Sequence, residues 1–161
     1  DHLKQNMKLN RIFSGKINGF SASTFHHTCD KIGATIILVK SEYDGIFGGY
    51  SSISWTSDGT TKTDKNAFLF EYYPCKEIHK QSNDNGWKAV YHWPRYLGAF
   101  SPRCDLLISN ECNNNRNSYA VSKYYKFKSG SHLVGDTSNL DDNNVKAKNF
   151  SVKDIEVFSC K

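Results

Sequence analysis

The feature that most constrains the fold is a pair of strand-like stretches joined by a tight turn. Residues 34–39 read ATIILV, an unbroken run rich in β-branched residues that is typical of a strand buried on both faces. Asp44-Gly45 is a turn signal, and residues 46–55 predict a returning strand. Gly48-Gly49 within that strand indicates either a bulge or a close approach of another backbone. Together these stretches predict the hairpin around which the chain folds.

A short helix is predicted directly before the hairpin. Ser21 is a suitable N-cap, because its hydroxyl can accept a hydrogen bond from a free backbone N–H of the first turn. Phe20 and Phe25 have the spacing of a hydrophobic staple, and Cys29 falls on the same helical face as Phe25. Gly33 is a stop signal. We therefore expect Cys29 to point into the core.

Further short strands follow, separated by turn-forming residues. They are predicted at residues 67–73, 89–93, 96–100, 105–109, 119–127 and 152–158. Many short strands beside one clear helix predict a mainly β fold of the antiparallel sandwich type. The length of 161 residues fits one domain. Residues 1–10 are polar and are predicted as a partly helical N-terminal segment, residues 11–161 as the domain, and residues 140–149 as an exposed stretch.

Composition limits the classes of function. The formal net charge is +5, and 17 lysines stand against four arginines. Because arginine is the usual reader of bases and phosphates, this ratio argues against a nucleic-acid partner. A solvated lysine-rich surface is a simpler interpretation of the charge than a functional basic patch. No apolar run approaches the roughly 20 residues of a membrane-spanning helix, and five irregularly spaced cysteines favour reduced intracellular thiols.

Six short segments occur in the order in which one known family has them. They are FHHTCD at 25–30, IFGGYSSISW at 46–55, DKNAFLF at 64–70, DLLI at 105–108, NSY at 117–119 and VKDIEVF at 152–158. On these segments the chain resembles the TLDc domain, which is found in oxidation resistance proteins and in many protist proteins. The resemblance implies a two-layer antiparallel β-sandwich with a few short flanking helices.

No motif in the sequence specifies a reaction. A Cys–His nucleophile would require His26 to reach Cys29, and a buried, inert cysteine is the favoured alternative. Zinc requires clustered ligands, whereas Cys104 and Cys112 are separated by seven residues and His92 and His132 are distant in sequence. We therefore predict no catalytic residue, no cofactor and no metal.

The resemblance implies recognition of a protein partner. TLDc proteins are linked to protection against oxidative stress, several bind the vacuolar-type proton pump, and no agreed catalytic centre comes with the family. We predict a non-enzymatic interaction module whose candidate partners are pump subunits. A structural subunit of a large intracellular assembly is the alternative, and an enzyme centred on Cys29 or zinc is a third hypothesis. The expected location is intracellular, either cytoplasmic or at the periphery of an organelle or assembly.

One segment departs from the family pattern. Members commonly have glycines after the position of Phe100, whereas this chain has Ser101-Pro102-Arg103. Glycine permits backbone shapes that proline and arginine do not, so the loop beside Asp105 is expected to differ. Ser101, Pro102 and Arg103 are therefore predicted partner contacts.

The three tryptophans are assigned by their surroundings. Trp55 and Trp93 lie in strand-like runs and are predicted to pack in the core. Trp87 follows a polar loop and is the fourth predicted partner contact.

Overall fold

The structure is a computed structural model that describes residues 7–82, 85–127, 131 and 148–161. The helices of the described residues are α1 (Gly15–Asn18) and α2 (Ala22–Cys29). The strands are β1 (Leu9–Ser14), β2 (Thr35–Ser41), β3 (Ile46–Ser51), β4 (Thr61–Lys62), β5 (Phe68–Tyr73), β6 (Glu77–His79), β7 (Val90–Tyr91), β8 (Tyr96–Phe100), β9 (Leu106–Ser109), β10 (Ser118–Ala120), β11 (Lys148–Phe150) and β12 (Val152–Cys160).

These strands form two antiparallel sheets that share one core. The first sheet has the order β1-β12-β2-β3-β5-β6, and the second has the order β11-β10-β9-β8-β7-β4. Side chains from both sheets, such as Ile37 and Leu69 from the first and Leu97 and Ile108 from the second, belong to one buried cluster. The predicted mainly β sandwich with short flanking helices is confirmed.

The predicted hairpin lies in the middle of the first sheet. β2 pairs with β3 on one side and with β12 on the other. Its side chains alternate, so that Ile37 and Val39 are buried in the core while Ile36 and Leu38 are half-buried on the outer face. The prediction of burial on both faces is therefore correct for β2 only on the inner one.

Each of the two glycines of β3 permits a close contact, one with β2 in the same sheet and the other with the second sheet. A Cβ atom built on Gly48 would lie 1.8 Å from the backbone oxygen of Ile37, and one built on Gly49 would lie 2.3 Å from the ring of Phe100 in the second sheet. Close approach, one of the two alternatives that the sequence left open, is therefore the reason for this pair of glycines.

Several predicted boundaries differ from the observed ones. β3 ends at Ser51, and Trp55 instead makes an isolated parallel bridge with Asp30. The strand predicted over 119–127 is divided between β10 and an isolated bridge of Tyr125 with Gln81.

The predicted N-terminal segment also differs where it can be followed. Residues 1–6 lie outside the described residues, while Leu9 and Asn10 are strand residues of β1 that pair with β12. The stretch 140–149, predicted to be exposed, lies outside them as well except for its last two residues in β11.

We expect Gly48→Ala to destabilise the domain by about 3 kcal/mol, because the new methyl group would collide with the backbone of β2 and the strands would have to separate. Gly45→Ala is the matched control, since its Cβ would meet nothing closer than 3.4 Å and should change stability by about 0.5 kcal/mol or less. Urea unfolding measures both. Equal free energies of unfolding for the two variants would contradict the close contact.

Candidate functional site

One end of the second sheet gathers four loop segments, which we call the loop end: residues 63–66, 85–89, 101–105 and 121–125. The pairing of Val90 with Phe100 brings the loop before β7 next to the loop after β8, and Ser101 N–H donates to the Ala89 carbonyl at 2.9 Å.

The backbone of residue 64 reaches the same place, because Asp64 N–H donates to the Gly86 carbonyl at 2.9 Å. Gly86 has a φ of +68, in the left-handed region, and a Cβ atom built on it would lie 2.4 Å from the backbone of Asp64 and Lys65. Only glycine fits this contact.

Asp105 holds two of these loops together from inside the protein. Its Oδ2 accepts hydrogen bonds from the backbone N–H groups of Lys123, Tyr124 and Tyr125 at 2.7, 2.6 and 2.8 Å. Its Oδ1 accepts one from the Ser101 hydroxyl at 2.6 Å. Burial raises the pKa of Asp105, while the four hydrogen bonds act against that rise.

Asp64 likewise holds the loop that follows β3 by accepting hydrogen bonds. Its Oδ2 accepts from the backbone N–H of Ser52 at 2.7 Å, and its Oδ1 accepts from the Ser52 hydroxyl at 2.5 Å and from Asn66 N–H at 3.0 Å. The Gln81 amide donates to the Asp64 carbonyl at 2.8 Å. The loops of this end are therefore fixed by buried carboxylates.

The predicted partner contacts divide into two groups. Pro102 and Arg103 are exposed, and Trp87 is 56% exposed with the Lys88 ammonium 4.2 Å from its ring centroid. Ser101 corrects the prediction, because its side chain is fully buried against Asp105 and presents nothing to a partner.

The backbone of Ser101 nevertheless has φ 70, a left-handed conformation that favours glycine. Ser101 thus adopts a glycine-like backbone at the point where the sequence departs from the family pattern.

The other two tryptophans lie elsewhere. Trp55 is 1% exposed, and its indole N–H donates to the Thr35 hydroxyl at 2.9 Å, so its prediction as a core residue is confirmed. Trp93 is half-buried, with its ring 5.3 Å from that of Tyr91. It therefore lies at the margin of the core.

The suspected Cys–His pair does not form. Cys29 is fully buried, and its burial, followed by the nearby Asp30 charge, raises the pKa of the thiol to about 12. His26 instead makes hydrogen bonds through both ring nitrogens, from Nδ1 to an Asp30 oxygen at 2.8 Å and from Nε2 to the Tyr96 carbonyl at 2.9 Å. The imidazole therefore holds α2 against β8, and both of its nitrogens are engaged with groups other than the thiol.

The residues considered for zinc are also separated. Cys104 packs in a small cluster with Ala99 and Leu107, whereas Cys112 lies in the main core. Burial raises the pKa of these thiols to about 11 and about 12. His132 lies outside the described residues. Within the described ranges, no group of three or more His, Cys, Asp or Glu side chains has the geometry to hold a metal ion.

One buried cluster was missed by the sequence analysis. Glu71 accepts hydrogen bonds from His79 Nε2 at 2.8 Å and from the Ser131 hydroxyl at 2.5 Å. Burial opposes ionisation of Glu71, but these hydrogen bonds outweigh it and lower its pKa. The period-2 alternation of β5 places Glu71 on the same inward face as Leu69, and this signal was available in the sequence.

Comparison with known proteins now decides the family. A sequence model described as the TLDc domain matches residues 1–161. The chain belongs to the TLDc domain family.

A curated relative of this TLDc domain is the MTOR-associated protein MEAK7 of Danio rerio. It is 38% identical over 67 residues, which are 42% of this chain and 15% of the relative. The match therefore spans a small part of that protein.

None of the helices among the described residues combines the length and the hydrophobicity that a bilayer crossing requires.

Three of the family segments begin or end at an aspartate that is buried or half-buried. Asp30 ends the first segment, Asp64 begins the third and Asp105 begins the fourth. Asp30 accepts a hydrogen bond from the Ser57 hydroxyl at 2.7 Å in addition to its contact with His26. These aspartates connect loops to the sandwich, so the segments that identify the TLDc domain describe its architecture.

We expect Asp105→Ala to destabilise the domain by about 4 kcal/mol, because three backbone N–H groups lose their acceptor in a buried site. Asp105→Asn retains one carbonyl acceptor and should cost about 1 to 2 kcal/mol. Asp44→Ala removes an exposed aspartate that pairs with surface lysines; it is the matched control and should change the free energy of unfolding far less than Asp105→Ala does. Chemical unfolding that ranks Asp105→Ala with Asp44→Ala would contradict this role.

His92 is a buried base inside the TLDc domain. Its Nδ1 accepts a hydrogen bond from Thr56 N–H at 3.0 Å, so this nitrogen carries no proton and the ring is neutral. Burial is the main cause that lowers the pKa of His92 to about 4, from the ordinary 6.5. Protonation would break the hydrogen bond from Thr56.

This lowered pKa predicts acid sensitivity. The unfolded chain takes up the proton first as the pH falls through 6.5, so the stability contributed by neutral His92 is complete above that pH. It should be lost between pH 6.5 and about 4, by about 3 kcal/mol in total. Unfolding free energies measured across this range should depend less on pH for His92→Gln than for the wild type. His27→Gln, at an exposed position, should keep the wild-type slope, and the same slope in both variants would refute the assignment.

Proposed function

We propose that this TLDc domain is a non-enzymatic recognition module that contacts a protein partner through its loop end. The observation that carries the proposal is the combination of fixed backbone and exposed contact groups there. Asp64 and Asp105 are used internally, while Trp87, Pro102 and Arg103 face solvent. Loops held by a rigid scaffold are where binding residues concentrate.

The candidate partners follow from the family. Subunits of the vacuolar-type proton pump are the first, because several TLDc proteins bind that pump. The name of the MEAK7 relative adds an MTOR-associated assembly as a second candidate. Either partner agrees with an intracellular location, cytoplasmic or at the periphery of an organelle, and with a role in oxidative-stress protection or pump regulation.

A structural subunit of a large assembly is the alternative function. The outer face of the first sheet favours it, because Ile36 and Leu38 are half-buried there and Ile78 is 43% exposed. An apolar sheet face of this kind suits a permanent neighbour. The third hypothesis, an enzyme centred on Cys29, has no such support, because the thiol is buried and both ring nitrogens of His26 are hydrogen-bonded to other groups.

Affinity capture of the full-length protein with quantitative mass spectrometry tests the proposal. We expect pump subunits or another defined complex to be enriched, and we expect Trp87→Ala to reduce their recovery about tenfold, as a central aromatic contact does.

Tyr72→Ala is the matched control, because Tyr72 is 57% exposed and has a Lys76 ammonium over its ring at 5.3 Å but lies outside the loop end. A stable non-pump complex that is unaffected by Trp87→Ala would favour the structural alternative. No enrichment over the tag alone would refute the recognition function.

A further inference from the structure

We propose that the loop end binds an acidic segment of a protein partner, which places its carboxylates against a group of lysines and Arg103 and packs an apolar side chain on Trp87. This inference rests on the proposed function and adds the chemistry of the partner.

The first observation is the charge of the loop end. Four basic residues of the loop end are exposed or half-buried: Lys65, Lys88, Arg103 and Lys123. The exposed Lys126 follows the last segment directly and adds a fifth. A sixth joins them, because Lys126 N–H donates to the Lys80 carbonyl at 2.8 Å. The composition favours a solvated lysine-rich surface. The fold brings these basic residues, which are far apart in sequence, together at one end of the second sheet.

The second observation is that these cations have no acidic partners among the described residues. Several cations elsewhere on the domain are paired, among them Arg11 with Glu156 at 2.5 Å, Lys16 with Asp154 at 2.9 Å and Lys153 with Asp44 at 3.1 Å. None of the six at the loop end takes part in an ion pair within residues 7–82, 85–127, 131 and 148–161.

The acids that do belong to the loop end are turned inward. Asp64 and Asp105 are 3% and 0% exposed, and their oxygens accept the backbone hydrogen bonds described above. Asp84 lies outside the described residues and contributes to none of these observations. The positive charge is therefore directed at solvent without a neighbouring carboxylate in the described segments, which favours the approach of an acidic surface.

The third observation is the state of the Trp87 ring. The Lys88 ammonium lies 4.2 Å from its centroid, so one face makes a cation–π contact and the remaining surface is 56% exposed. Insertion of this ring into the apolar interior of a lipid bilayer would remove water from the ammonium, and no anionic group there would replace it. Trp87 is also the one large hydrophobic side chain exposed within the described part of the loop end, too little apolar area for a membrane anchor.

The same features argue against nucleic acid. Five of the six cations are lysines, point charges without the planar fork that reads phosphates and bases. An acidic peptide meets both requirements, because carboxylates neutralise the lysines while an aromatic or aliphatic side chain covers the free part of Trp87.

The loops are also prepared for binding. Ser101 and Cys104 have φ values of 70 and 54, and hydrogen bonds from the Ser101 hydroxyl to Asp105 and from Cys104 N–H to the Ser101 carbonyl hold that backbone in place. Since the loops are ordered before the partner arrives, little conformational entropy is lost on association.

The test uses the full-length protein and a labelled peptide of glutamate and aspartate with one central phenylalanine. We expect binding that weakens as salt is added and that falls about tenfold or more in Lys88→Glu/Arg103→Glu. Lys8→Glu/Lys153→Glu changes the same number of charges on the first sheet and should bind as the wild type does. Folding of each variant is checked by its urea midpoint.

Two further probes exclude other classes of ligand. Vesicles of phosphatidylcholine and phosphatidylserine and a single-stranded RNA oligonucleotide should bind more weakly than the acidic peptide. Stronger binding of either probe, no binding of the peptide, or equal peptide binding by the two double variants would overturn the inference.

The captured complex distinguishes this inference from the proposed function. Carbodiimide, which joins lysines to carboxylates in direct contact, should link Lys88 or Lys123 to aspartates or glutamates of the partner. A captured partner without such links, whose recovery is unaffected by Lys88→Glu/Arg103→Glu, would overturn the inference and leave the recognition function standing. Failure to capture any partner would refute the recognition function, while the peptide measurement would still decide the inference.

Discussion

The loop end depends on the burial of one carboxylate. Asp105 accepts hydrogen bonds from three successive backbone N–H groups and from the Ser101 hydroxyl, so the segments before β9 and after β10 cannot move independently. A buried acid that is satisfied in this way is costly to remove but specifies a single arrangement. The surface that we propose for partner binding is thus determined by a residue that is itself fully buried.

The same principle explains what the family segments encode. Asp30, Asp64 and Asp105 are each the first or last residue of a matching segment, and each accepts hydrogen bonds that join a loop to the sandwich. Because the carboxylates of Asp64 and Asp105 are occupied by these hydrogen bonds, neither is available for acid–base chemistry at the loop end. A family signature made of such residues identifies a fold and leaves the exposed side chains between them free to set the choice of partner.

The sandwich and the central hairpin could be predicted because their signals are local. Alternation and β-branched runs located β2, β3, β5, β8 and β12, and the glycine pair of β3 indicated the close contact with β2. The site was predicted only in part. Trp87, Pro102 and Arg103 are exposed, but the inward direction of Ser101 follows from its bond to Asp105, and the grouping of Lys65 with Lys123 follows from a topology that one sequence does not disclose.

The left-handed backbone at Ser101 has a consequence for how such a domain changes over time. A glycine would adopt that conformation more easily, yet it would remove the hydroxyl that Asp105 accepts from, whereas serine supplies the hydroxyl and bears the steric cost. The loop backbone therefore holds its conformation without a flexible glycine at position 101. Neighbouring positions 102 and 103 can then exchange their side chains without disturbing the loop, so that new binding preferences can arise on an unchanged skeleton.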